Sequence, residues 1–535
     1  MKTMINSIIL ASCLALPLAS CSDSDAAPEQ KDWSTTTYFN SSDAAAQDTY
    51  YKPAVGYVGD PMPFFDPVAG DFKVLYLQDF RPNPEGTYHP IWGVSTKDAA
   101  HYTALGELVS CGTLKSQDAA IGTGSTIYDE ASKLYYTFYT GNKYKPTGDE
   151  SAQAVMVATS ADFKTWTKDR TFLLKGQDFG YDKNDFRDPF VFKGDDGKFH
   201  MLISTKKGGK GSLVEFVSDD LKNWTDNGVF MTMMWDRFYE CPDLFKMGDY
   251  WYLVYSEIHH AVRRVQYFKG RTLDELKACT ANDVARWPDA HEGFLDSRGL
   301  YAGKTASDGT NRYLWGWCPT RSGKDNTAVG ASPAEPEWAG NLVCYKLIQH
   351  EDGTLTLGQI DAVSEKYNQD VAVEVKESQN MTEADGTYTL AGSVEQPDAY
   401  MLMGRLGSHN KISFTVTTSN EWDKFGISMV RGSDSKKYYT MVVNPENENN
   451  RKVNFEEQGV EGKGFIAGID GYVFARPADN VYNITIYTDN SICVMYINDV
   501  CSYTNRIYGI QKNCWSINSY NGANVKISNL KISQY

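Results

Sequence analysis

The chain lacks the cysteine and histidine patterns that usually mark a catalytic metal site. Its ten Cys and eight His contain no CxxC pair, no mixed Cys/His ligand cluster and no HExxH motif. We therefore expect no metal in the mechanism. Two of the Cys lie in the first 21 residues and the other eight are scattered. Their spacing assigns no disulfide partners, although an oxidising compartment would permit them, and buried free thiols are the simpler expectation.

Basic charge is also scarce. The chain carries 52 Lys and Arg against 68 Asp and Glu, a net charge of −16, which disfavours nucleic acid as a partner because such binding needs a basic face. Proline is sparse, with 19 against 44 Gly, while 34 Tyr contribute to an aromatic content of 13%. Aromatic-rich and glycine-rich sequence with little helical patterning predicts an all-β protein. At 535 residues the length suggests about three domains, or fewer if the β units are large.

Only the amino terminus carries a sustained apolar run. Residues 1–21 have the character of an export signal, with Lys2 followed by the apolar stretch Ile5–Leu18, which is too short to span a membrane. The ending Leu18–Cys21 resembles a bacterial lipobox, which makes Cys21 a lipid anchor; an ordinary signal peptide that contains a Cys is the alternative. Residues 22–44 then form a polar tether. By resemblance to bacterial surface lipoproteins, we expect the outer membrane, at the cell surface or on its periplasmic face.

A repeated phrase organises residues 45–350. Five times, an acidic or glycine turn precedes an aromatic-rich strand, in Asp71–Leu77, Lys133–Tyr139, Lys198–Ile203, Asp249–Tyr255 and Arg312–Trp317. A second phrase recurs in Ser160–Trp166 and Ser218–Trp224. The distance from one copy of the first phrase to the next is long enough for four short strands and their turns. Four-stranded sheets can bury both of their faces by stacking around a common axis. The pattern predicts a five-bladed β-propeller; a β-sandwich with chance similarity among its hairpins is the alternative.

Residues 351–535 lose that phrase and show simpler alternating strands with regular turns, a pattern typical of a β-sandwich. The fold prediction is therefore an all-β chain, with a five-bladed propeller followed by a carboxy-terminal sandwich.

Three acids occupy similar positions in the repeats. Asp60, Asp188 and Glu240 each lie next to, or one residue from, a Pro that introduces an apolar strand. That strand comes first in its blade and should be innermost, so the three side chains should meet at one mouth of the central channel. A single Asp-Pro is a common strand-entry turn, and that interpretation remains the alternative for each one alone.

Carboxylates brought together are costly unless they are hydrated, paired or used in chemistry. Enzymes that cleave sugars use carboxylates that lie close together. One carboxylate attacks or assists, and a second, which is held protonated, donates a proton to the leaving oxygen. The pattern therefore indicates a glycosidase.

The same residues resemble the motifs of glycoside hydrolase family 32, the invertases, inulinases and levanases. The matching motifs are Asp60-Pro61, Arg187-Asp188-Pro189 and Glu240-Cys241-Pro242. The resemblance implies that Asp60 is the nucleophile, Glu240 the general acid/base and Asp188 the transition-state stabiliser. It implies retaining release of fructose from a β-fructofuranoside such as levan, inulin or sucrose, with an oligo- or polysaccharide as substrate and no cofactor.

Further stretches agree with that resemblance, and they make Arg187, Gln78, Trp92 and Ser125 candidate sugar contacts. Two departures stand out, because the family usually has Asn before the nucleophile and Asn-Gly after its Pro, whereas this chain has Gly59 and Met62-Pro63. Three other activities stay open on the sequence. They are inverting cleavage of arabinan or xylan by a related five-bladed fold, fructosyl transfer, and glycan binding without catalysis.

Overall fold

The computed structural model describes residues 49–80, 86–233, 238–257, 264–279, 293–321, 336–431, 438–458 and 471–535. The predicted export signal, the Cys21 anchor and the 22–44 tether lie outside the described residues. Within the described part the regular secondary structure is almost all β-strand, as predicted.

The amino-terminal half forms five antiparallel four-stranded blades, of which the fifth and the first are joined into one eight-stranded sheet. Blade one is β1 Tyr57–Asp66, β2 Asp71–Asp79, β3 Ile91–Thr96 and β4 Thr103–Val109. Blade two is β5 Ala120–Asp129, β6 Leu134–Asn142, β7 Gln153–Ser160 and β8 Thr167–Lys168. Blade three is β9 Phe186–Lys193, β10 Phe199–Lys207, β11 Lys210–Ser218 and β12 Thr225–Thr232, after a 3-10 turn at Gly176–Phe179. Blade four is β13 Glu240–Met247, β14 Tyr250–Glu257, β15 Arg264–Gly270 and β16 Phe294–Leu295, with helix α1 Leu273–Ala278 between the last two. Blade five is β17 Tyr301–Ser307, β18 Arg312–Arg321, β19 Pro336–Gln349 and β20 Leu355–Gly358.

The first strands of the blades form a ring. Each of β1, β5, β9, β13 and β17 contacts the first strands of the two neighbouring blades, and β1 also pairs with β19 through Val58 and Gly340. Blade five is thus joined to blade one, which closes the propeller. The five aromatic-rich phrases are all second strands, namely β2, β6, β10, β14 and β18. The predicted five-bladed propeller is confirmed.

Large apolar side chains fill the spaces between blades. Trp315 and Tyr76 lie fully buried where blades one and five meet, and Phe138 and Phe216 lie fully buried between blades two and three. Burial of each such side chain contributes about 1.5–3 kcal/mol. This explains why the second strands are rich in large apolar side chains, since both faces of each strand are covered by neighbouring blades.

The second repeated phrase is a turn that follows the third strand of a blade. In blade three, Asp220 Oδ1 accepts the backbone N–H groups of Lys222 and Asn223 at 2.9 and 2.8 Å, and Trp224 Nε1 donates to the carbonyl oxygen of Leu221. Those backbone N–H groups lower the pKa of Asp220 to about 2. Blade two repeats these bonds with Asp162 and Trp166.

Blade one contains a third copy of that turn, which the sequence analysis did not recognise. Asp98 accepts the N–H groups of Ala100 and His101, and the Tyr102 hydroxyl donates to the carbonyl oxygen of Ala99. Tyr replaces Trp here and Thr96 replaces Ser, so the geometry is kept although the letters differ.

The carboxy-terminal half is a two-sheet sandwich, preceded by helix α2 Asp361–Lys366. One sheet contains β21 Gln369–Val371, β23 Met381–Ala384, β24 Thr387–Ala391, β26 His409–Thr418, β31 Val481–Asp489, β32 Ile492–Ile497, β33 Cys501–Arg506 and β35 Asn524–Gln534. The other contains β22 Val375–Gln379, β25 Ala399–Arg405, β27 Lys424–Met429, β28 Tyr438–Pro445, β29 Asn450–Gln458, β30 Tyr472–Ala475 and β34 Cys514–Tyr520. One apolar cluster packs between them.

Buried polar contacts fix the sandwich to the propeller. Arg506 is almost fully buried and donates to the carbonyl oxygens of Pro319 and Cys318 and to Oδ1 of Asn341. Tyr487 and Val494 extend the apolar contact into the propeller cluster. The two halves therefore share a buried interface.

All eight Cys of the described residues are free, and five of them are buried. Those five match the expectation of buried free thiols, whereas Cys111, Cys279 and Cys514 are only partly buried. In the described ranges, no helix has the length and apolar character that a membrane crossing requires.

Candidate active site

Each innermost strand begins with a β-bulge. The ladder shifts register between Gly59 and Met62 on β1, Gly122 and Gly124 on β5, Arg187 and Phe190 on β9, Glu240 and Asp243 on β13, and Tyr301 and Lys304 on β17. A bulge bends its strand and re-aims the side chain at that point. Because all five lie near the start of the first strand, they surround one mouth of the central channel.

The bulges hold residues in an unusual backbone conformation. Asp60, Asp188, Cys241 and Ala302 all have positive φ angles, of 31°, 58°, 51° and 52°. Such a conformation in a residue other than glycine costs about 1–3 kcal/mol and persists only where the surroundings enforce it. In blades one, three and four the next residue is Pro, which suits a bulge because it has no N–H to leave unpaired.

The three predicted acids meet at this mouth. The Cys241 thiol is buried among them: burial raises its pKa well above the usual value, and the charges of Asp60, Asp188 and Glu240 raise it further. Asp60 and Asp188 occupy the bulged position itself. Glu240 lies one residue before it, and Cys241 takes the equivalent place.

Asp60 is oriented from blade five. Trp317 Nε1, on β18, donates to its Oδ1 at 3.0 Å, and the Thr123 hydroxyl reaches its backbone oxygen from blade two. Asp60 is partly exposed. The carboxylate is thus fixed by an indole N–H while it borders the channel mouth.

Glu240 is held by two donors. Arg187 Nη2 donates to its Oε1 at 3.0 Å, and the Tyr301 hydroxyl donates to its Oε2. The Arg187 guanidinium also contacts Asp185 Oδ1 at 2.6 Å and lies 3.8 Å from the ring centre of Phe238. Burial acts to lower the pKa of Arg187, but the charges of Glu240, Asp188 and Asp185 outweigh it and raise that pKa.

Asp188 lies deepest of the three, at 5% exposure. Its Oδ2 accepts the Cys241 backbone N–H at 2.9 Å, and its own N–H donates to Thr140 Oγ1. Burial raises the pKa of the Asp188 carboxyl, and the Glu240 charge adds to this, although Arg187 and the Cys241 N–H oppose both. A buried carboxyl beside a second carboxylate is a feature of functional sites.

Two predicted sugar contacts lie on blade one. Gln78, on β2, is fully buried and its Nε2 donates to the carbonyl oxygen of Val55 at 2.6 Å, while its Oε1 has no hydrogen-bond partner within the described ranges. Trp92, on β3, packs against Phe80, and its buried Nε1 also has no partner in the part of the chain that the structure describes. Among the described residues, neither bonds to Asp60, Asp188 or Glu240, and their role as sugar contacts stays a prediction.

Ser125 stabilises the contact between blades two and three. Its hydroxyl donates to the carbonyl oxygen of Pro189 at 2.9 Å and accepts the N–H of Val191 at 2.8 Å. These bonds tie blade two to the strand that carries Asp188. Its predicted sugar contact also stays a prediction.

Sequence reasoning missed the residues that orient the acids, namely Tyr301 and Trp317. Tyr301 begins the fifth innermost strand and precedes Ala302 at the bulge, so the fivefold repeat could have located it. No acid or Pro marks that strand, which is why it escaped notice. The described part of the chain contains no cluster of three or more His, Cys, Asp or Glu arranged to hold a metal ion.

The chain resembles known proteins over most of its length. Curated relatives include the β-fructofuranosidase, insoluble isoenzyme CWINV2, of Arabidopsis thaliana, which is 25% identical over 320 residues that cover 54% of this chain and 51% of the relative. A sucrose-6-phosphate hydrolase of Staphylococcus xylosus is 25% identical over 38% of this chain and 40% of its own length. The chain thus spans about half the length, or less, of these curated relatives.

Solved structures cover more of the chain. Sucrose-6-phosphate hydrolase from Lactobacillus gasseri superposes with a TM-score of 0.66 over 92% of this chain and 93% of that one, at 17% identity. At this sequence identity, the superposition shows similarity of fold alone.

Two family profiles match the chain. That of the glycosyl hydrolases family 32 N-terminal domain matches residues 50–360, and that described as GH32, BT1760-like, C-terminal domain matches residues 353–532. The first range contains all three converging acids and the second contains most of the sandwich. The chain belongs to glycosyl hydrolase family 32.

Proposed function

We propose that this protein is a retaining glycoside hydrolase that releases fructose from β-fructofuranosides. The observation that carries the proposal is the convergence of Asp60, Asp188 and Glu240 at one mouth of the propeller. Asp188 accepts the N–H of Cys241, the residue next to Glu240, while Trp317 and Tyr301, whose rings pack together, donate to Asp60 and Glu240 respectively. The family membership and the names of the relatives, which include β-fructofuranosidases and a fructan 6-exohydrolase, agree with this substrate class.

The contacts suit a two-step displacement. Asp60, with one oxygen fixed by Trp317, attacks the anomeric carbon while Glu240 gives its proton to the leaving oxygen. The resulting glycosyl–Asp60 ester is then cleaved by water, from which Glu240 takes a proton back. Both steps pass through a positively charged sugar, and Asp188 supplies negative charge and a hydrogen-bond acceptor beside it.

A substrate panel tests the proposal. Purified protein is incubated with sucrose, inulin, levan and arabino-oligosaccharides, and released sugars are identified by chromatography. Free fructose or fructo-oligosaccharides from at least one fructan or from sucrose is the expected result. Arabinose release instead would overturn the substrate class, and binding without turnover would overturn the catalytic assignment.

We also propose that the mature chain is tethered to the outer membrane through Cys21. The support is the lipobox-like end of the export signal and the polar segment that follows it. Full-length protein expressed in a Gram-negative host should partition into detergent, and its Cys21→Ala variant into the aqueous phase. Equal partitioning of the two proteins would refute the anchor.

A further inference from the structure

A lysine side chain crosses the central channel just beyond the five bulges. Lys304 follows the bulge of β17, and only 2% of its surface is exposed. Its Nζ donates at 2.6 Å to the carbonyl oxygen of Gly124, which follows the bulge of β5 in blade two. Blade one lies between blades five and two in the ring. The Lys304 side chain therefore has to cross the channel to reach Gly124.

The Lys304 ammonium is buried without an adjacent carboxylate. Among the described residues, no Asp or Glu oxygen lies within ion-pair distance of Nζ, which bonds to the Gly124 carbonyl oxygen alone. The ring centre of Phe190, two residues after Asp188 on β9, is 5.9 Å from Nζ. A buried cation without a paired anion is costly. A neutral side chain could bridge the same carbonyl at less cost, so the positive charge itself requires an explanation.

The other cations of the site are engaged with other acids. Arg187 forms its ion pair at this mouth with Glu240, and the charge of Arg312, on β18, acts on the buried Asp243. In the described ranges, no Lys or Arg nitrogen lies within ion-pair distance of the Asp188 carboxylate. The buried ammonium in the channel is therefore the cation left to balance Asp188.

The field around Asp188 has contributions from four strands of the ring. The charged or titratable groups around Asp188 and Cys241 are Asp60 on β1, Arg187 on β9, Glu240 on β13 and Lys304 on β17. Burial raises the pKa of Asp188 and the Glu240 charge adds to this, whereas Arg187 and Lys304 act to lower it. Lys304 acts in the same direction on the burial-raised pKa of Asp243.

We propose that Lys304 is a positioning residue for catalysis, whose buried ammonium, fixed across the channel by Gly124, keeps the Asp188 carboxyl in its anionic form. This inference rests on the proposed function and deepens it, because Asp188 can stabilise a positively charged sugar only while it is ionised. Lys304 lies beyond the bulges that border the mouth. It therefore acts through Asp188 and not on the sugar.

Lys304→Met tests the charge, because it removes the ammonium and nearly keeps the shape of the side chain. The measurement is kcat/KM for the best fructoside from acid to neutral pH. Without the ammonium the pKa of Asp188 rises further, so more of the enzyme is protonated and inactive at acid pH. The acid limb should move to higher pH. The loss of kcat/KM relative to wild type should be greater on that limb than at neutral pH, by about threefold or more.

Two further variants separate charge from packing. Lys304→Gln also lacks the charge but can still donate a hydrogen bond, so its acid limb should move as that of Lys304→Met does. Lys73, on β2, is a buried lysine that donates to Asp71 Oδ2 at 2.8 Å, near the Asp66 end of β1. Lys73→Gln should lower the melting temperature and leave the pH profile unchanged. A loss in the Lys304 variants that is equal at every pH, or no loss at all, would overturn the proposal.

Melting temperatures over the same pH range test the charge without any need for activity. Because burial raises the pKa of Asp188 in the folded state, ionisation of this carboxyl costs stability as the pH rises, and Lys304 reduces that cost in the wild type. The difference in melting temperature between wild type and Lys304→Met should therefore widen from acid to neutral pH. A constant difference would indicate packing alone and would contradict the proposal.

The two measurements also distinguish failure of this inference from failure of the proposed function. If none of the proteins cleaved any fructoside, the proposed function would fall and the catalytic role of Lys304 would fall with it. A widening difference in melting temperature would then still report the charge that Lys304 supplies to the buried carboxylates.

Discussion

Asp60→Asn is expected to reduce turnover of the best fructoside by about 10⁴–10⁶-fold, the usual consequence of removing a nucleophile. The amide keeps the shape of the side chain and can still accept the Trp317 N–H through Oδ1. It cannot form an ester with the sugar, however, so the two-step route is lost. The measurement is kcat/KM for wild type and variant, with the melting temperature of each recorded alongside.

A matched control lies on the same strand. Asp66, at the far end of β1, accepts the Val68 and Ala69 N–H groups and the Tyr135 hydroxyl. Asp66→Asn should lower the melting temperature and leave kcat within about 3-fold of wild type, as expected for a side chain remote from the reacting atoms. An Asp60→Asn enzyme with more than a tenth of wild-type activity would remove Asp60 from the chemistry.

Glu240→Gln is expected to lower kcat on natural substrates by about 10²–10⁴-fold, the range that general acid catalysis supplies. Glutamine has no proton to give to the leaving oxygen. It also has one acceptor oxygen where the carboxylate has two, so Arg187 and the Tyr301 hydroxyl can no longer each donate to an oxygen of their own, and the ion pair with Arg187 is lost. A modest fall in melting temperature should therefore accompany the loss of activity.

The leaving group distinguishes a lost acid from a disturbed fold. A fructoside with an acidic phenol as leaving group needs little protonation, so Glu240→Gln should keep far more of its first-step rate on it than on sucrose or fructan. Glu215→Gln, on β11 and bonded to His200 and Asn227, is the control and should leave both rates near wild type. Equal losses on both substrates would contradict the acid role of Glu240.

The sequence revealed the propeller because its signals are local. Each second strand follows a turn and is rich in large apolar side chains, so five copies can be recognised without knowledge of their partners. The third copy of the Asp-capped turn was missed at Asp98 because Tyr102 replaces Trp there. What is conserved between the copies is a set of backbone bonds, which different side chains can satisfy.

The acids of the site were also predictable, because Asp60, Asp188 and Glu240 each carry a Pro signature at a strand start. The residues that orient them were not. Tyr301 and Trp317 come from blade five, where nothing adjacent in sequence marks a site. The glycine at position 59 was read as a departure from the family pattern, and only the fold shows that Trp338, far along the chain, fills the space beside it.

The stereochemistry of transfer tests the central claim most directly. The protein is allowed to cleave its best fructoside in the presence of methanol, which competes with water for the intermediate, and the methyl fructofuranoside is identified by NMR. Two displacements through Asp60 predict the β anomer, since each one inverts the anomeric carbon. The α anomer would show a single displacement by solvent and would contradict the assignment of Asp60 as the nucleophile.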